Sequence, residues 1–237
     1  VDEEFFQGHG GAGKSFRTSI PEGLPDDIEF NPGGLAVVWA EENSRTSIFN
    51  ALQRKEVYGT SGPRFLVRFF LGDDLSESLC DQPDAIASSY KNGAPMGGTL
   101  NSKQMSKARI FVSATADASI KNQFIEKLQV IKGVIRNGEI ETSVHDIKTH
   151  PPADLDFESC NVIGSGVRSM CSVWEDPDFN NTEDAYYYVR VIANKSCRWS
   201  HDLCLKNPSY CEDSSESSVP KFIQERAWTS PIWLENS

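Results

Sequence analysis

Apolar positions along this chain fall mostly into short runs rather than into long helical stripes. FLVRFFL (65–71), ARIFVSAT (108–115), YYYVRVIA (186–193) and WTSPIWLE (228–235) are rich in β-branched and aromatic residues, which predicts strands. LQVIKGVIRNGEIETSVHDI (128–147) sets Asn137-Gly138 between two such runs. That dipeptide predicts a type I′ hairpin, because both turn residues need positive φ. Short strands with turn punctuation across residues 65–237 predict an antiparallel β-sandwich-like domain, and the chain as a whole reads as mainly β.

The pattern before Phe65 is different. GLAVVWA (34–40) reads as a short, fully buried strand. Asn43 or Ser44 can cap a helix running to about Lys55, with Ile48, Phe49, Ala51 and Leu52 as its apolar face. In EVYGTSGPR (56–64), Gly59, Gly62 and Pro63 mark a turn. One strand and one helix cannot enclose a core, so residues 1–64 read as the terminal portion of an α/β domain whose body lies elsewhere. Residues 1–34 carry no periodicity and are expected to wrap around another part of the molecule. The stretch 79–98 reads as loop with at most one helical turn, and EDSSESS (212–218) as an exposed loop.

GHGGAGKS, Gly8 to Ser15, fits the Walker A pattern at every fixed position. A phosphate loop needs a strand before it and a helix after it. VDEEFFQ offers no buried strand, and FRTSIPEGLPDD carries Pro21 and Pro25 with no apolar helical spacing. The P-loop NTPase reading therefore ranks last.

Charge narrows the partners. The net charge of -11 argues against nucleic acid and anionic lipid, which both require a basic surface. No run of about 18 apolar residues exists, so no membrane span is expected. Of six cysteines, Cys160, Cys171, Cys197, Cys204 and Cys211 crowd into one segment and Cys80 stands apart. Such density predicts disulfides and a secreted or periplasmic setting. The sequons at Asn180 and Asn194 are compatible with that. Zinc is the other reading of Cys197, His201, Cys204 and Cys211, although their spacing fits no standard zinc module.

The stretch GLAVVWAEENSRTSIFNALQRKEVYGTSGPR (34–64) resembles the family of domain of unknown function 3604. These proteins are relatives of the PHP (polymerase and histidinol phosphatase) metal-dependent hydrolases. The likeness continues through APMGGTL (94–100), LQVIKGVI (128–135), VWEDPDFN (173–180), AYYYVRV (185–191), CRWS (197–200) and IQERAWTSPIW (223–233). It implies a PHP-like barrel with histidine and aspartate metal ligands, followed by a β-rich domain. On that pattern residues 1–64 hold the last strand and helix of the barrel, and the main metal ligands are expected upstream of Val1. The family has a glycine-rich stretch comparable to 8–15, without a consistent Gly-Lys-Ser, which explains the Walker match as a drifted loop. It has Thr-Pro-Arg-Trp where this chain has Ser-Cys-Arg-Trp, so the cysteines staple a local addition.

The resemblance points to a metal-dependent hydrolase of phosphoesterase type, with Zn, Mn or Fe in the full-length parent and a small phosphoester or other anionic substrate. Its partner would be the missing N-terminal barrel portion, and the fragment alone would be inactive. Functional groups of such barrels gather where strands end. Glu41 and Glu42 follow strand 34–40 and are candidates for metal or proton chemistry; the plain alternative is that they satisfy the helix N-terminus. Arg45 and Arg64 are candidates for clamping an anion, or for pairing with those acids. Tyr58 and Thr60 flank the turn and are candidate substrate donors, or supports of the turn. His9 is a candidate metal ligand or proton-transfer group by family analogy; the plain alternative is an exposed loop histidine. A noncatalytic β-sandwich that binds a partner or a glycan is the alternative function.

Overall fold

The structure is a computed structural model that describes residues 33–136, 138–206, 208 and 220–236. It is mainly β. The first unit is β1 (Leu35–Val38), α1 (Arg45–Gln53) and β2 (Val57–Thr60). Next come β3 (Leu66–Gly72), α2 (Ala85–Asn92), β4 (Ala94–Pro95), β5 (Thr99–Asn101) and β6 (Arg109–Thr115). The long hairpin is β7 (Ile125–Arg136) with β8 (Glu139–Thr149). A small ribbon of β9 (Asp154–Leu155) and β10 (Val162–Ile163) precedes β11 (Ser169–Glu175) and β12 (Ala185–Cys197). α3 (Trp199–Lys206), β13 (Phe222–Thr229) and β14 (Ile232–Glu235) complete the described chain.

Two sheets face each other. The larger runs β1-β2-β13-β12-β14-β5, with β7 on β12 and β8 on β7; the smaller runs β11-β6-β3-β4. All of these pairs are antiparallel except β5 with β14. Alternation explains the core. Ala185, Tyr187, Val189, Val191 and Ala193 point inward from β12 and meet Phe65, Val67, Phe69 and Leu71 with Ile110 and Val112 of the smaller sheet. The expected hairpin forms with Arg136 opposite Glu139, and Gly138 has φ of +81°. Asn137 itself lies outside the described residues.

Several expectations need correction. Residues 79–98 are not mainly loop. They hold a 3₁₀ turn (Leu79–Asp81) and the two-turn helix α2, which cover the outer face of the smaller sheet. Phe70 and Phe111 there pack against Leu75, Leu79 and Ile86. The helical signal is weak because AIASSYKN carries only two large apolar side chains. The run 228–235 is two strands rather than one, since Pro231 cannot donate to a ladder. β13 begins earlier, at Phe222.

The segment 56–64 contains strand β2 where a turn alone is expected. β2 pairs antiparallel with β1 on one side and with β13 on the other. Hydrogen bonding therefore runs without a break from β1 across to the C-terminal strands. Among the described residues β1 is an edge strand, and its side chains are exposed or half-buried rather than fully buried. The helix α1 appears as expected, with Ser44 as N-cap. Of its apolar face only Ala51 is buried; Phe49 is 56% exposed and Leu52 is exposed as well.

Two disulfides tie the described chain: Cys80 to Cys171 and Cys160 to Cys197. Cys204 is disulfide-bonded too. No helix among the described residues is long and apolar enough to cross a membrane. Disulfides are compatible with an extracellular protein.

Candidate functional site

The side chains named between residues 41 and 64 occupy different environments, some exposed and some buried. Glu41, Glu42 and Arg45 are exposed at the N-terminal end of α1. Ser44 Oγ accepts from Ser47 N at 3.2 Å, so the serine and not a glutamate caps the helix. Among the described residues, neither glutamate forms an ion pair with Arg45 or Arg64. Tyr58 is buried; its hydroxyl donates to Phe65 O at 2.6 Å and accepts from Val67 N at 3.4 Å. Burial raises its phenol above the usual range. Thr60 Oγ1 accepts from Gly62 N at 3.2 Å and holds the turn. The hydrogen-bonding atoms of both side chains are engaged within the fold. His9 and the 8–15 loop lie outside the described residues.

Arg64 leads to a more organised place. Its backbone N–H donates to Asp117 Oδ2 at 2.8 Å, while its side chain is exposed. The other Asp117 oxygen accepts from Ser119 N at 2.8 Å and Ser119 Oγ at 2.7 Å. Asp117 N donates in turn to Gln123 Oε1 at 3.0 Å, and Asn194 Oδ1 accepts from Phe124 N at 2.8 Å. A carboxylate and two amides thus pin the loop from β6 to β7, in which Asn122 adopts φ of +60°.

This loop forms one wall of a cleft of about 300 Å³. The other walls come from Pro63, the start of α3 with Trp199 and Asp202, the Cys160–Cys197 disulfide, and Glu225 of β13. Ser61 Oγ donates to Glu225 Oε2. Burial pushes the Glu225 carboxyl above the ordinary glutamate value, against the lowering effects of Ser61 and Arg226. Gln123 is only 6% exposed and lines the cleft, and among the described residues its Nε2 has no hydrogen-bond acceptor. A carboxyl, side-chain amides and an indole around one concavity suit a small polar ligand.

The described residues do not fit a catalytic metal. His201 comes close to Cys160 and Cys197, but those two sulfurs are joined to each other and offer no thiolate. The zinc reading of Cys197 and Cys204 fails for the same reason; Cys211 lies outside the described residues.

Sequence reasoning missed Glu225, Asp117 and Gln123, since each sits singly in an ordinary stretch. It also missed a buried ionic cluster of Lys132, Asp176 and Tyr187, for which a signal existed. Lys132 interrupts the apolar run LQVIKGVI, and a charge inside a buried strand requires a partner.

Residues 2–236 match the family described as protein of unknown function (DUF3604), and the chain belongs to that family. No curated protein and no solved structure gives a match.

Proposed function

We propose that this chain is the C-terminal β-sandwich part of a metal-dependent hydrolase of phosphoesterase type. The metal ligands, for Zn, Mn or Fe, belong to a PHP-like barrel elsewhere in the parent, and this part borders the substrate. The observation behind this reading is the state of the β1-α1-β2 unit. Among the described residues no strand pairs beyond β1, and Phe49 and Leu52 of α1 are exposed, as are Glu41, Glu42 and Arg45. Open edges and exposed apolar faces are normally covered, and a barrel layer would cover both. Bound metal in such enzymes polarises the phosphoryl oxygen and activates water. The roles proposed for this chain are anion binding by Arg45 and Arg64 and proton handling by Glu41 and Glu42. His9 would assist proton transfer.

The test is a panel of phosphoesters assayed with added Zn, Mn or Fe. The expected result is turnover by the parent, none by residues 1–237, and a loss in parent Glu42→Ala and Arg64→Ala greater than any loss of stability. Hydrolysis by the 1–237 chain, or unchanged turnover in both variants, overturns the proposal. The Glu225 cleft favours a second reading, a noncatalytic module that binds a small ligand itself, because Gln123, Asn194, Trp199 and Glu225 line one concavity.

A further inference from the structure

The outward face of the larger sheet carries a line of aromatic rings. On β12, Tyr186, Tyr188 and Arg190 alternate with the buried Tyr187 and Val189, so all three point away from the core. Trp233 of β14 stands opposite Tyr186, and Trp228 of β13 stands opposite Arg190. The four aromatics therefore share one face. Ring centroids of Trp233 and Tyr186 are 5.4 Å apart; those of Tyr186 and Tyr188 are 6.5 Å apart with planes within 15°. Trp233 is 41% and Trp228 37% exposed.

Tyr186 lies flat against the sheet, and the reason is Gly133. That glycine is its cross-strand partner on β7, and a Cβ there would sit 2.2 Å from the Tyr186 ring. The ring thus presents a face rather than an edge. Beside the aromatic line runs a chain of planar polar groups. Arg190 Nε donates to Gln129 Oε1 at 2.7 Å, and Gln129 Nε2 donates to Asp146 Oδ1 at 2.5 Å. Lys127 Nζ donates to the second Asp146 oxygen at 3.3 Å. Among the described residues the two Nη groups of Arg190 have no acceptor.

We infer that this face is a binding platform for a neutral oligosaccharide. Sugar rings present apolar C–H faces that stack on flat aromatic faces, and equatorial hydroxyls that bridge to guanidinium, amide and carboxylate groups at the rim. This platform offers both, side by side. A single-stranded nucleic acid would also stack, but it needs a basic groove, and the chain carries a net charge of -11. A protein partner needs about 800 Å² on each side. Four aromatics of about 150–250 Å² each, less than half exposed, offer well under that. The area suits a few sugar units. This inference stands apart from the hydrolase reading and from the Glu225 cleft.

The experiment titrates the full chain with soluble cello-, malto-, xylo- and manno-oligosaccharides and follows tryptophan fluorescence and heat. Saturable binding of at least one series is expected. Trp233→Ala and Tyr186→Ala should each weaken it at least about fivefold, in line with the energy of one aromatic stack. Tyr186→Phe should keep it, which separates ring stacking from a folding defect; circular dichroism on each variant guards the same point. Lys91→Ala, on α2 at the outer face of the other sheet, should change nothing. Absence of binding to every series overturns the inference, as does binding insensitive to Trp233→Ala and Tyr186→Ala. A dimer that Trp233→Ala dissociates, or preferential binding of oligothymidylate, overturns it in favour of another occupant.

Discussion

Lys132 Nζ lies 2.6 Å from Asp176 Oδ2 inside the sandwich, with the two side chains 4% and 0% exposed. Tyr187 donates to the same oxygen at 2.6 Å, and Lys132 also donates to Asp178 O at 2.8 Å. Asp176 Oδ1 accepts from Asp178 N at 3.0 Å. Burial, and then the Asp176 hydrogen bond, push the Tyr187 phenol far above its ordinary value, so it stays a donor. The cluster joins β7, β12 and the turn after β11. Removing one partner leaves a buried charge uncompensated, so Asp176→Asn should cost about 3–5 kcal/mol in urea unfolding. The double variant Lys132→Met with Asp176→Leu should cost less than Asp176→Asn alone. A cost under about 1 kcal/mol for Asp176→Asn would show that the pair is not buried as described.

The disulfides should differ in weight. Cys80 and Cys171 are separated by 91 residues and Cys160 and Cys197 by 37. On the chain-entropy account each stabilises by on the order of 4 kcal/mol, the longer loop slightly more. Intact mass without reductant should show no free thiol at these four positions. Paired alanine variants, compared by thermal melting, should lose more for Cys80 with Cys171. That bond also anchors the insertion that covers Phe70 and Phe111.

Glu225 should leave a mark on the pH dependence of stability. Its carboxyl is raised above the ordinary 4.5 by burial, so the folded state holds the proton more tightly than the unfolded chain. Stability from this group is present below the unfolded value and lost as pH rises through the folded value. Glu225→Gln should therefore flatten the decline above pH 4.5 and raise the melting temperature near neutrality. An unchanged pH profile would mean that the carboxyl is solvated.

Ser44 tests the start of α1. Its side chain satisfies the Ser47 N–H, and Ser44→Ala should cost about 1 kcal/mol by chemical denaturation. Asn43→Ala should cost little, since Asn43 is exposed and makes no cap.

Local chemistry determined much of this protein. The hairpin at Gly138, the capped helix, the strands at 65–71, 108–115 and 186–193, and the preference of crowded cysteines for disulfides all follow from residues close in sequence. The family match was legible too, because the long motifs such as IQERAWTSPIW stand in order along the chain. Tertiary structure decided what depends on partners far away. VYGT became a strand because β1 and β13 offered hydrogen bonds on both sides, which no periodicity within four residues reveals. AIASSYKN became a helix because the outer face of β3 and β6 needed cover. Tyr58 turned inward because Phe65 and Val67 presented a carbonyl and an N–H to its hydroxyl. The Glu225 cleft and the Trp233–Tyr186–Tyr188 platform join residues that only strand pairing makes neighbours. Strand pairing sets side chains from distant segments on one face, and single-residue signals spread over such distances carry no local pattern to read.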